Sequence, residues 1–456
     1  MEQGNHNSQF STLNSQFSEF DEIRPYEAGE MKQAFEELLN DRQFSTIIKG
    51  FVPWLPKTLR NALLRLAFCG VKTPLDFQKR FMKPVVKYII RKHTDGLTFD
   101  DTALQGNHNS QFSTLNSQLD KRFTFVSNHR DIVLDSAFLD LMLVNAGYPT
   151  TVEIGIGDNL LIYPWIKRLV RMNKAFTVRR GLTAHEMMRS SLLMSRYIHY
   201  AVTHKRENIW LAQREGRAKD SSDQTQESVL KMLAMGGPTK IDNGELGIEN
   251  CDMSQGGNSD GSSNHNSQFS TLNSIKELNI VPLTISYEFD PCDFLKAQEF
   301  QQKRDNPNFK KSKQDDLDNM KTGIFGYKGR VHYHCGTPIN QWIDALNDQS
   351  GAEGNSTTTK SKNEFFAHLS QRIDEEIHRG YRLYPCNYIA LDMLEQPAAL
   401  SSGSPHYTQA DVQRFEQYLQ GQLAKIKIPN KDEAFLRERL LTMYANPLRN
   451  YLKAKQ

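Results

Sequence analysis

The stretch Phe125-Val126-Ser127-Asn128-His129-Arg130-Asp131-Ile132-Val133-Leu134-Asp135-Ser136 decides how the chain is read. It opens as a short apolar strand, Phe123 to Val126, and breaks at Ser127-Asn128. It then passes into an apolar run, Ser136 to Val144, that reads as a helix. A histidine at this strand-to-helix junction, with Asp131 and Asp135 two and six residues on, suits general base chemistry. Histidine titrates near neutral pH, and a neighbouring carboxylate can orient its ring. The plain alternative is a polar helix start, with Asn128 as cap and Asp131 facing the helix dipole.

Outward from this stretch, strands alternate with helices. Arg122–Val126, Thr150–Ile156, Ala175–Val178, Asn208–Ala212, Ile280–Tyr287 and Gly329–Cys335 read as strands. Helices are expected at Ser136–Ala146, Asp158–Arg171, Ala184–Thr203 and Asp223–Met235. Such alternation predicts an α/β domain with a largely parallel sheet, spanning residues 99–350. Residues 236–274, rich in Gly, Ser, Asn and Asp, read as a long mobile insert. Gln298 to Lys321 reads as a charged, solvated helical excursion.

A helical region, residues 20–98, precedes the domain, and a helical region, 351–456, follows it. The latter should hold helices over Lys362–Arg379, Thr408–Ala424 and Asp432–Lys455, with Tyr381–Leu391 able to add a strand. In the former, Trp54, Leu55, Leu59, Leu63, Leu64, Leu66 and Phe68 form an unusually apolar face beside Lys57, Arg60 and Arg65. A second basic amphipathic stretch runs from Lys79 to Lys92. Both suit a membrane surface. They equally suit helices packed on the main domain with snorkelling cations.

With 38% hydrophobic and 24% charged residues over 456 positions, the composition is that of a globular protein. A net charge of +3 argues against nucleic acid as partner. The five cysteines are scattered, with no CxxC and no metal spacing, as expected in a reducing cytoplasm. The N-terminus lacks an apolar signal segment, and no apolar run has the length of a transmembrane helix. The expected location is therefore cytoplasmic, either in solution or on a membrane surface.

The string NHNSQFSTLNS occurs three times, at Asn5–Ser15, Asn107–Ser117 and Asn264–Ser274. Ser, Asn and Gln dominate it, so it offers little surface to bury. Residues 1–19 are accordingly expected to be disordered. The irregular spacing excludes a solenoid, and the return of Asn-Ser seven residues on within a copy, as at Asn7-Ser8 and Asn14-Ser15, points to a simple DNA repeat translated into loops, with a binding motif as the alternative.

Three further segments follow the His129 stretch in order. Lys174-Ala175-Phe176-Thr177-Val178-Arg179-Arg180 is a strand ending in paired arginines, suited to forked hydrogen bonds with phosphate. The same cations also fit a solvated basic face. Arg214-Glu215-Gly216-Arg217-Ala218-Lys219 follows an apolar strand, and its glycine permits close approach of a ligand. Ile280-Val281-Pro282-Leu283-Thr284-Ile285 is an apolar strand whose proline predicts a strand end, an edge or a cavity wall.

Taken together, the four segments resemble the four blocks of the glycerolipid acyltransferases, the glycerol-3-phosphate and 1-acylglycerol-3-phosphate enzymes. The resemblance covers about Phe123 to Tyr287. It implies an acyltransferase-type sheet and transfer of a fatty acyl group to a hydroxyl of a glycerol-phosphate or lysophospholipid acceptor. The donor would be acyl-CoA, an acyl carrier protein or an acyl phosphate, with no metal and no cofactor, and the lipid product would place the enzyme peripherally on the inner face of the cell membrane. It implies His129 as general base and Asp135 as its partner, with Asp131 as fallback. Arg179, Arg180 and Arg217 would bind the phosphate, Glu215 and Gly216 would shape that pocket, and Pro282 would flank the acyl chain. Two departures stand out. Five residues separate His129 and Asp135 where the family has four, and Gln213-Arg214 replaces an aromatic and a small residue. The first departure leaves open a catalytically degenerate, membrane-peripheral lipid-binding protein. His129 to Asp135 is also similar to a protein-kinase catalytic loop, but Ser136 stands where that pattern needs Asn.

Overall fold

The computed structural model describes residues 19–51, 53–105, 121–237, 271–346, 359–395, 397, 400 and 404–456. The first two copies of the repeated string, Cys251 and most of the 236–274 insert lie outside the described residues.

Seven strands build one sheet: β1 (Leu97–Asp100), β2 (Thr124–Ser127), β3 (Val152–Gly157), β4 (Ala175–Val178), β5 (Asn208–Ala212), β6 (Ile280–Tyr287) and β7 (Val331–Cys335). Their order is β1-β7-β6-β2-β5-β3-β4. All neighbours pair in parallel except β6 and β7, which are antiparallel. The protein is therefore α/β with a mostly parallel sheet flanked by helices.

Alternation of side chains along each strand divides the core into two layers. Val126, Phe176, Ile209, Leu211 and Ile280 join one layer, closed by the helices Ala184–Thr203, Glu227–Leu233 and Thr359–Arg379. Phe125, Ala175, Trp210, Val281 and Leu283 join the other, closed by Lys83–His93 and Leu134–Asn145. All eight residues of β6 are buried, as a central strand covered on both faces requires.

Several sequence expectations are corrected. β1, too short to stand out, pairs along β7 at the sheet edge. Tyr381–Leu391 adds no strand, because Pro385–Glu395 is a helix. The charged excursion is two helices, Asp293–Asp305 and Lys313–Phe325, and it is not merely solvated, since Glu299 and Gln301 are buried. The helix expected from Asp158 starts at Pro164, after a single 3-10 turn. The one expected from Asp223 starts at Glu227. The last four residues of the third repeat copy begin a helix over 271–277, and Leu272 enters the core. The loop expected for that copy thus ends before Thr271.

Pro282 lies inside β6, opposite Val126, and not at a strand end or an edge. Its carbonyl accepts from Gly336 N at 2.7 Å, on the β7 side. A strand residue presents its N–H position and carbonyl to the same side, and ladder pairing with β7 begins only at Leu283. The donor that proline lacks therefore falls where β7 has already ended.

The N-terminal helices form a separate apolar cluster around Phe35, Leu38, Phe68 and Phe77, which rests on Trp165, Leu169 and Met172 of the helix Pro164–Met172. The C-terminal helices Pro385–Glu395, Gln409–Lys425 and Glu433–Ala454 pack with Asp293–Asp305 around Phe289, Phe415 and Tyr444. Among the described residues no helix is long and apolar enough to cross a membrane.

Candidate active site

Parallel strands deliver their carboxyl ends to one edge, and the sequence-predicted segments after β2, β4 and β5 meet there. β2 ends at Ser127, and Asn128 continues its pairing through a side chain. Asn128 Oδ1 accepts from Ile285 N at 2.8 Å while its Nδ2 donates to Ile285 O at 2.9 Å. Asn128 therefore splices the turn to β6 and is no free helix cap.

His129 follows. Its Nδ1 meets Asp135 Oδ2 at 2.8 Å, with the histidine side chain 13% exposed and the carboxylate 0%. Arg130 N donates to the same oxygen at 2.6 Å, and Tyr287 OH donates to Oδ1 at 3.2 Å. Trp210 and the imidazole meet edge to face, with centroids 5.6 Å apart, and Trp210 Nε1 donates to Ser127 Oγ. With Nδ1 committed to a carboxylate, Nε2 is the nitrogen left to the cavity that His129 lines.

Asp131 does not reach His129. Its Oδ1 accepts from Val133 N and Leu134 N, both at 2.8 Å, and so caps the helix Leu134–Asn145. Burial raises its pKa, and the nearby Asp135 raises it further.

The cavity holds about 270 Å³ and is lined by His129, six Lys or Arg side chains and two carboxylates. Arg180 crosses the end of β3, where a Cβ on Gly157 would lie 2.7 Å from its Nε. Glycine at that position lets the guanidinium lie flat over the strand end. Arg180 Nη1 is 3.6 Å from Glu215 Oε1, whose side chain is largely exposed. Gly216 turns the chain with φ +69°, a left-handed conformation that suits glycine. Arg217 lines the cavity and donates to Asn319 Oδ1 at 2.8 Å. Arg214 also lines it, and its Nε meets no acceptor among the described residues. Such a wall favours an anionic ligand.

Arg179 and Pro282 are not among the lining residues. Arg179 turns outward and pairs with Glu22. The cause is the open edge of β4, where Thr177 N donates to Ile23 O of the N-terminal segment. Lys174, at the start of β4, is buried against Glu207, Thr150 and Thr151. Gln213 is fully buried, and its backbone N donates to Ser127 O at 2.7 Å.

Sequence reading missed three elements. Lys296 and Lys311 add cations from outside the four segments, from the excursion helix and the loop after it, and are paired with Asp290 and Glu299. Behind His129 lies a buried brace. Arg130 Nη2 meets Asp223 Oδ2 at 2.6 Å, and Tyr381 OH donates to the same oxygen at 2.6 Å. His378 Nε2 lies 2.9 Å from Asp223 O. Ser221 and Asp223 hold left-handed backbone (φ 57° and 45°), strain that an over-determined loop sustains. Third, Ser274, His199 and Glu277 line up as a triad would, with His199 Nδ1 2.5 Å from Glu277 and Nε2 3.3 Å from Ser274 Oγ. That row is structural. Nε2 faces Leu233 O at 3.0 Å, so it carries a proton there, and Ser274 donates to Ala234 O from a buried position.

No family model matches the sequence, and no curated protein matches it. Among the described residues no group of three His, Cys, Asp or Glu side chains is arranged to hold a metal ion.

Proposed function

We propose that the protein is an acyltransferase that moves a fatty acyl group from an activated donor to a hydroxyl of a glycerol-phosphate or lysophospholipid acceptor. One observation carries the reading: a histidine held on Nδ1 by a fully buried carboxylate faces a cation-lined cavity at the carboxyl ends of parallel strands. The four ordered sequence blocks add to it.

In this reading His129 Nε2 removes the proton from the acceptor hydroxyl as its oxygen attacks the acyl carbonyl carbon. Asp135 holds the imidazole in the tautomer with the proton on Nδ1 and stabilises the imidazolium that forms. When the tetrahedral intermediate collapses, the leaving group of the donor departs and the imidazolium returns the proton. No acyl-enzyme is required. Arg180 and Arg217, with Arg214 beside them, bind the acceptor's phosphate, which fixes the hydroxyl near Nε2. The five-residue spacing between His129 and Asp135 does not separate them, which favours the enzyme over a degenerate lipid-binding protein.

The test is acyl transfer from a labelled thioester, and in parallel from an acyl phosphate, to glycerol 3-phosphate and a panel of lysophospholipids. Transfer by wild type that is lost in His129→Ala supports the reading. Lipid binding without turnover on any acceptor moves the protein to the non-enzymatic alternative.

A further inference from the structure

Part of the apolar face of the N-terminal helices is not buried. Trp54 is 75% exposed and Leu66 71%, with Leu59 at 49% and Leu63 at 47%. Leu59, Leu63 and Leu66 stand at i, i+4 and i+7 on the helix Lys57–Phe68 and so share one stripe. Arg60, Leu64 and Phe68 form another stripe, about 130° around the helix at 100° per residue. That second stripe is the one turned to the N-terminal core, where Leu64 and Phe68 join the apolar cluster. The helix therefore has two apolar stripes and uses one of them for folding. The segment 78–82 packs against this helix and runs straight into the helix Lys83–His93. There Val86 and Ile89 are buried, while Val85 and Tyr88 are exposed.

Charge identifies what the free stripe meets. From residue 53 to 93 the chain carries ten Lys or Arg and one acid, Asp76. Lys57, Lys79, Lys83, Lys87 and Lys92 are at least partly exposed, and none makes an ion pair with a carboxylate among the described residues. Protein–protein interfaces are depleted in lysine. A Trp and leucines ringed by unpaired lysines fit the boundary between acyl chains and anionic headgroups. The chain's own residues 1–18 and 106–120, dominated by Ser, Asn and Gln, offer little apolar surface with which to cover the stripe.

We propose that the stripe Trp54, Leu59, Leu63 and Leu66, with the lysines around it, is a docking surface for an anionic lipid bilayer. The apolar side chains enter the headgroup boundary and the helices lie in its plane. This does not rest on the acyl-transfer reading, because the face is built from residues outside the His129 cavity.

The experiment is co-sedimentation of the full chain with phosphatidylglycerol vesicles and with phosphatidylcholine vesicles at low salt. Wild type should bind phosphatidylglycerol about tenfold more than phosphatidylcholine, and less as salt is added. The double change Leu63→Asp/Leu66→Asp should reduce binding by about tenfold while leaving the thermal melt unchanged. Lys83→Gln/Lys87→Gln should lower it about threefold and narrow the difference between the two lipids. Trp54 emission should shift to the blue on binding, a signal that Trp54→Phe removes. Equal binding to both lipids, or none, overturns the proposal. So does a concentration-dependent oligomer of wild type that Leu63→Asp/Leu66→Asp breaks apart, since the stripe would then belong to a second copy. Vesicle binding is read without turnover, so a failure of the enzyme reading leaves this result intact.

Discussion

Asp135 Oδ2 reaches His129 Nδ1 at 2.8 Å across five intervening residues, from a position with no solvent exposure. The spacing closes because Asp131 caps a turn at 131–133 ahead of the helix and swings its first residues back under the imidazole. The two aspartates therefore have separable roles.

Asp135→Asn should lower acyl transfer by about a thousandfold or more, since the tautomer of the base is no longer held. Asp131→Asn should stay within a few-fold of wild type, because an asparagine oxygen accepts the same two backbone N–H groups. Single-turnover rates for both variants, beside a thermal melt, check this. Loss of transfer in Asp131→Asn with full activity in Asp135→Asn would reverse the assignment.

Arg180 and Arg179 should part company. Arg180→Ala is expected to raise KM for a phosphate-bearing acceptor by about 10- to 100-fold, the worth of a charge-assisted hydrogen bond. Gly157→Ala should move KM in the same direction by displacing the guanidinium, with little change in kcat. Arg179→Ala, which removes only the contact with Glu22, should leave KM near wild type.

Glu299 gives an acid limb to stability. Burial alone would raise its pKa, but hydrogen bonds from Lys219, Lys311 and Lys303 outweigh that and bring it from 4.5 to about 2. A carboxylate depressed in the folded state contributes stability that is complete above the unfolded pKa and lost as pH falls through the folded one. Melts between about pH 5 and pH 2 should show that loss in wild type and less of it in Glu299→Gln. At neutral pH Glu299→Gln should be less stable by about 1–3 kcal/mol.

The brace behind the site predicts a structural cost. Asp223→Ala leaves Arg130 buried without its carboxylate and should cost about 3–5 kcal/mol in urea unfolding. Tyr381→Phe removes one hydrogen bond to the same oxygen and should cost about 1–3 kcal/mol. Kinetic constants measured well below the melting temperature separate this from a direct effect on chemistry.

Local pattern made much of this legible. The bounds of β4, β5, β6 and the helix Ala184–Thr203 coincide with those read from periodicity and turn residues. An aspartate for His129 is readable within the same short stretch, but the choice of Asp135 over Asp131 rests on the family resemblance. Other features depend on distant partners. β1 is four residues long and exists only against β7. The diversion of Arg179 needs Glu22 and Ile23 laid along the edge of β4. Lys296 and Lys311 reach the cavity only once the excursion helix is placed, and nothing in their neighbourhood marks them.

Asp223 joins Arg130 to Tyr381, and the two partners come from opposite parts of the chain. During synthesis β2 and the His129 turn emerge long before the end of the helix Thr359–Arg379 and the tyrosine after it. Until Tyr381 has left the ribosome, the turn that carries the histidine lacks one of its anchors. A chain truncated before that point can hold strands and helices in place and still lack a finished centre. Completion of the site thus waits on a residue made long after the histidine, and a nascent chain that has not reached it lacks that anchor.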